Sequence, residues 1–178
     1  MSTGTGIRIA QVLGIAGSTL LSGSILSLSI ISTPALLTPS SFSSPTHVAI
    51  QWKALYTRGA RTMPPLAVFA SSAYFYLAFK LFKYSRGLTQ MYAAAGALTL
   101  GIVPYTLMVM VKTNDALSAK AVDEPVEQKE SNGEVDEMLE RWTSMNLVRG
   151  LIPLTGLDGG FVRYSLLTKF GRLVAGAS

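Results

Sequence analysis

A lone arginine, Arg149, interrupts the apolar stretch that runs from Trp142 to Leu157. A guanidinium inside an apolar helix costs at least about 2.5 kcal/mol, so it turns toward a partner or a wet cavity. Trp142, Asn146 and Arg149 stand at i, i+4 and i+7, which puts an indole, a carboxamide and a guanidinium on one helical face. A second apolar stretch carries Thr106, Met110 and Asn114 four residues apart, beside Pro104. Two such faces turned toward each other would build one buried site whose hydrogen-bond donors converge on a ligand. The structural alternative makes Asn146 and Thr106 interhelical hydrogen-bond glue, with Arg149 snorkelling or paired to Asp158. For Thr106 alone that alternative is the better reading; for Arg149 with Asn146 and Trp142 on one face, the site is.

Composition narrows what such a site can be. Of the 178 residues 49% are hydrophobic and 14% charged, against about 25% charged in a soluble domain. The chain therefore reads as a membrane protein. With no cysteine and one histidine, it can build no disulfide framework, thiolate zinc site, iron–sulfur cluster or multi-histidine metal centre, so a cofactor-rich enzyme is not expected. The net charge of +5 does not point to nucleic acid, because nine of the ten acidic residues lie between Asp115 and Glu140 and the basic ones mostly flank apolar runs. Membrane edges explain that placement, and no nucleic-acid partner is expected.

The elements that must position these residues follow from hydropathy. Between Arg8 and Lys53 no formally charged residue occurs if His47 is neutral. That run is too long for the apolar core of a signal peptide, and a retained span over about 7–37 is expected. Within it Gly14, Ser18 and Ser22 form a ridge of small side chains that lets another helix approach closely. A loop opens at Thr38. Its second half, with Trp52 and Tyr56 one turn apart near Arg58 and Arg61, reads as an interfacial helix. Pro64 and Pro65 begin the next element, and further spans cover about 66–81, 91–111 and 142–157. The last reaches only about 24 Å of a hydrocarbon core about 30 Å thick, unless its helix starts earlier. Residues 115–140 read as a mobile acidic loop without the ligand spacing of a calcium loop, and Phe161 to Leu173 as an amphipathic tail. The expected fold is a single all-α domain over 1–178, an integral membrane four-helix bundle. Its basic residues divide seven against seven between the two sides, so the positive-inside rule assigns no orientation.

Pro104-Tyr105-Thr106, then Asn114 and Leu117, then Trp142, Asn146 and Arg149, joined by Trp52, Lys53, Tyr56, Gly59 and Pro64 in the first loop, form a recognisable pattern. It resembles the anthrone oxygenase family, small fungal membrane proteins, from about Gly14 to Arg149. The resemblance implies a cofactor-free monooxygenase of fungal polyketide secondary metabolism that oxidises an anthrone, such as emodin anthrone, to the anthraquinone. Its partners would be an aromatic polyketide, molecular oxygen and the lipid bilayer; a homo-oligomer is compatible with it, and the endoplasmic reticulum or another internal membrane is the expected location. By resemblance the candidate site residues are Trp52, Tyr56, Thr106, Asn114, Trp142, Asn146 and Arg149; the resemblance does not say which performs chemistry, and the donors they carry make Asn146 and Arg149 the expected catalytic pair and the other five the expected substrate-binding residues. The short, glycine-broken fourth segment departs from the family pattern.

The implied reaction asks little of a protein. Loss of a proton from the methylene opposite the anthrone carbonyl gives an electron-rich anthrolate that can itself donate an electron to oxygen. Radical recombination gives a hydroperoxide and loss of water leaves the quinone, so the substrate plays the part a flavin plays elsewhere. Arg149 and Asn146 would aim donors at the carbonyl oxygen that gains charge. No buried carboxylate is available as general base, so His47, ahead of Tyr56, is expected to reach in from the first loop. The competing reading, from another class, is a non-catalytic helical membrane protein whose polar stripes bind a lipid or a partner. A coupled transporter would need midplane charges and paired repeats that the sequence lacks.

Overall fold

The computed structural model describes residues 3–38, 44–121 and 132–156. Among them there is no strand. Helix α1, Thr3–Ser27, continues through a π-helical turn at Leu28–Ser32 into α2, Thr33–Leu36. Helix α3 spans Pro45–Leu81. The next rod joins α4, Arg86–Leu100, to α5, Ile102–Tyr105, then passes a second π-helical turn at Thr106–Met110 into α6, Val111–Lys120. Helix α7 spans Asn132–Thr155.

Local chemistry sets the helix starts. The Ser44 hydroxyl accepts from the His47 backbone N–H at 3.2 Å and Pro45 follows in the first turn, where its missing donor costs least. Ser85 caps α4 in the same way, accepting from the Leu88 N–H at 3.4 Å. Each π turn lies beside a proline, Pro34 or Pro104, which removes a backbone donor from the regular ladder. Thr33 Oγ1 donates to the Leu28 carbonyl at 2.8 Å, tying the widened turn to the helix that follows.

Packing follows the ridge of small residues on α1. Gly14, Ser18 and Ser22 are buried, and a Cβ added at Gly14 would lie 2.8 Å from the Tyr74 ring of α3. Ser18 Oγ and the Tyr74 hydroxyl share a hydrogen bond of 2.9 Å at that crossing. The core divides into three apolar clusters: Trp52 with Met110, Leu117, Leu139 and Trp142; Leu21 and Ile25 with Ala67 and Ile102; and Tyr74 and Leu77 with Tyr92 and Ala95.

The all-helical class expected from sequence is found, with element bounds that differ. The first loop and the second span are not separate: one helix of 37 residues covers both, with Pro64 and Pro65 inside it. The two prolines leave the carbonyls of Ala60 and Arg61 without helical donors, and both residues are exposed, so their surroundings can supply partners. Trp52 does not face outward, as an anchor in a headgroup layer would. It is 1% exposed and faces the core, where burial of its indole outweighs headgroup contact. The expected acidic loop 115–140 shrinks from both ends, since α6 reaches Lys120 and α7 starts at Asn132. Leu117, Val135 and Leu139 are buried there at helical spacing, and Lys120 pairs with Glu134 at 3.1 Å. Helix α7 is correspondingly longer than the expected 142–157 segment, 24 residues, or about 36 Å. The amphipathic tail and Asp158 lie outside the described residues.

Two helical runs, Thr5–Leu36 with 32 residues and Arg86–Lys120 with 35, are long and apolar enough to cross a membrane by length and composition. Leu20, Ile31, Phe79 and Met108 all point outward, more than half exposed.

Candidate functional site

A cavity of about 130 Å³ lies where α3, α5, α7 and both π turns meet. Helix α3 contributes Tyr56, Gly59, Ala60, Met63 and Pro64; the first π turn Leu28; α5 and the second π turn Ile102, Val103, Thr106 and Leu107; α7 Trp142 and Arg149. The wall is apolar except for one group of donors and acceptors. Single π turns inside α-helices occur often at functional sites, and here both flank the same space.

Arg149 is 8% exposed. Its Nη1 donates to Thr106 Oγ1 at 3.0 Å, and that hydroxyl in turn donates to the Ile102 carbonyl at 2.7 Å, so Thr106 holds the guanidinium in place. Arg149 Nε is buried without a hydrogen-bond partner, and among the described residues no carboxylate pairs with the side chain. A buried cation that no described carboxylate neutralises, beside an apolar cavity, suits a ligand oxygen that carries or gains negative charge.

The aromatic wall is fixed from behind. Trp52 stacks on Tyr56 with ring centroids 5.2 Å apart and planes 8° from parallel, and meets Trp142 edge-on at 5.8 Å. Asn114, 3% exposed on α6, accepts from Trp142 Nε1 at 2.9 Å and donates from Nδ2 to the Tyr56 hydroxyl oxygen at 3.5 Å. One carboxamide thus ties the α7 wall to the α3 wall.

The structure therefore brings Tyr56, Thr106, Trp142 and Arg149 to the cavity and sets Trp52 and Asn114 directly behind them. It does not bring Asn146 or His47. Asn146 is fully buried and donates to the Ile25 carbonyl at 2.9 Å and to Ser29 Oγ at 2.7 Å, joining α7 to α1 and the first π turn. His47 is exposed in the first turn of α3, its ring 3.0 Å from Gln51 Nε2 and about 14 Å along the helix from Tyr56. The sequence reading missed the apolar lining, chiefly Leu28, Met63, Ile102, Val103 and Leu107. Gly59 and Met63, on the α3 face of Tyr56 at helical spacing, were the signal available. Among the described residues no group of three His, Asp or Glu side chains gathers where a metal ion could be held.

Residues 52–158 match the family model described as anthrone oxygenase, a stretch that contains every lining residue except Leu28. The chain belongs to the anthrone oxygenase family. It is 32% identical over 157 residues to an anthrone oxygenase of Claviceps purpurea, covering 87% of this chain and 88% of that one. An anthrone oxygenase of Paecilomyces divaricatus is 30% identical, covering 83% of this chain and 90% of its own. A protein of Dothistroma septosporum named as a monooxygenase is 27% identical, covering 90% of this chain and 85% of its own. No solved structure matches. Family membership makes the chain an oxidoreductase of the oxygenase type.

Proposed function

We propose that the chain oxidises a polyketide anthrone to the anthraquinone with molecular oxygen and without a cofactor, in fungal secondary metabolism. The observation that carries this reading is the pairing, in one apolar cavity, of a Thr106-anchored Arg149 that no described carboxylate neutralises with the hydroxyl of Tyr56. The flat ring lies against Tyr56 and Trp142, with its carbonyl oxygen toward Arg149. Removal of a methylene proton gives the anthrolate, whose negative charge falls largely on that oxygen. Donors already in place there, in a water-poor site, lower the barrier without reorganising.

The anthrolate passes one electron to oxygen, giving a carbon radical and superoxide. Their recombination forms the C–O bond, and protonation of the outer oxygen gives the hydroperoxide. Loss of the remaining proton on that carbon, with cleavage of the O–O bond, releases water and leaves the second carbonyl. Anthrone and one O2 thus become anthraquinone and one water, and the substrate supplies all the electrons. We assign proton removal to Tyr56 acting as its phenolate, the proton passing on to the outer peroxide oxygen, because Tyr56 lines the cavity and its oxygen accepts from Asn114, whereas His47 stands outside. Asn146 is assigned to positioning α7.

A bilayer setting fits the reading, since a tricyclic substrate and oxygen both partition into hydrocarbon. We propose four crossings, through α1–α2, the second half of α3, α4–α6 and α7, in an internal membrane such as the endoplasmic reticulum. The chain has no native cysteine, so single cysteines at Thr38 and Ser118 should label from one side and one at Ser85 from the other; labelling of all three from the same side would contradict it. For the reaction, purified protein in detergent with chelator is mixed with emodin anthrone under air, and quinone absorbance is followed against a protein-free blank. Oxygen-dependent formation above the blank is expected. A rate equal to the blank from folded protein would refute the reading.

A further inference from the structure

We infer that Gly59 sets the width of the cavity, the missing side chain being space that the ligand occupies. The inference rests on the reading of the cavity as the seat of a flat tricycle. Glycine in the middle of a helix is disfavoured against alanine by backbone entropy, so a glycine within the 37 residues of α3 calls for a reason. Backbone conformation is not the reason, because no described glycine has a positive φ. Helix packing is not the reason either. At Gly14, Gly17, Gly96 and Gly150 an added Cβ would come within 2.7–2.9 Å of a neighbouring side chain, but at Gly59 it would meet no atom within 4 Å.

The empty space beside Gly59 belongs to the cavity. Gly59 lines it, as do Tyr56 three residues before and Met63 four residues after, and those spacings keep all three on one helical face. The room is scarce. A cavity of about 150 Å³ is known to take a single benzene, and this one has about 130 Å³ with one side open, so a three-ring ligand fills it and extends through the open side, with no part of the wall to spare. Glycine at this position gives up helix stability for ligand space.

Gly23 supplies the control. It too meets nothing within 4 Å, but it is exposed on α1 and does not line the cavity. Of the two tryptophans of the chain, Trp142 lines the cavity and Trp52 packs directly behind it, so quenching of intrinsic fluorescence by anthraquinone reads binding there independently of turnover. Full-length wild type, G59A, G59L and G23A are compared by apparent Tm, anthraquinone quenching and anthrone turnover. Both alanine variants should melt about 2–4 °C higher than wild type. Only G59A should weaken quinone binding and kcat/KM, by about tenfold or more for the added carbon, and G59L should abolish both. Wild-type quinone affinity in folded G59L would overturn the inference, as would a G59A that melts below wild type or matches G23A in binding, or a wild type that binds no quinone. A wild type that binds the quinone but does not consume anthrone, with G59A weakened as expected, refutes the oxidation reading and leaves the role of Gly59 standing.

Discussion

Replacing Arg149 by methionine separates chemistry from folding. The side chain is 8% exposed, makes one hydrogen bond of 3.0 Å to Thr106 and leaves Nε buried without a partner. As a folding element it is a poor investment: a buried charge with no carboxylate beside it is already desolvated without full compensation, and an apolar residue of similar length is neutral or stabilising at such positions. Thr106 keeps its bond to the Ile102 carbonyl in the variant, so the second π turn loses no backbone partner. On the proposed reading Arg149 supplies the donors for the developing oxyanion, and loss of one such donor lowers kcat by about 10²–10³, or about 2.7–4 kcal/mol of transition-state stabilisation. R149M should therefore melt no lower than wild type in detergent and lose about 10²–10³ in kcat with a small change in KM. The assays are a thermal melt and quinone formation per folded molecule. A variant that melts well below wild type but turns over within a few-fold of it would refute the argument and make Arg149 a structural residue.

Other substitutions test the remaining assignments. Y56F should lower kcat by about 10² or more, whereas H47A should stay within a few-fold of wild type; the reverse pattern in quinone formation would move the base to His47. N146A removes two buried hydrogen bonds that join α7 to Ile25 and Ser29, so it should cost about 1–3 kcal/mol of stability, seen as a lower Tm, with kcat per folded molecule retained. G14V would push methyl groups into the Tyr74 ring, which an added Cβ already approaches at 2.8 Å; a loss of about 1–3 kcal/mol is expected in the same melt.

The helical class and part of the site were legible because a helix prints its faces into the sequence. Spacings of four and three placed Trp142 with Arg149 and Thr106 with Asn114, and in the fold Arg149 meets Thr106 and Trp142 meets Asn114. The same stripe misled at Asn146. At 100° per residue Asn146 and Arg149 differ by about 60° around the axis, enough for a stripe to straddle two neighbours, and Asn146 turns to α1 while Arg149 turns to the cavity. Pro64 and Pro65 suggested a helix start, because sequence cannot tell a terminus from a tolerated break. The continuity of α3 through both prolines makes it a break. The apolar lining was invisible for another reason: Leu28, Met63 and Leu107 look like any core or lipid-facing residue, and only the packing of five separate elements makes them walls.

Oxygen-18 labelling tests the central claim most directly. Purified protein converts an anthrone under oxygen-18 gas in unlabelled water, and the quinone is analysed by mass spectrometry with peroxide assayed in parallel. The mechanism predicts one labelled oxygen in the new carbonyl, one O2 consumed per quinone formed, and no stoichiometric peroxide. Unlabelled quinone, its new oxygen drawn from water and accompanied by two equivalents of hydrogen peroxide, would contradict oxygen transfer and make O2 an electron acceptor only.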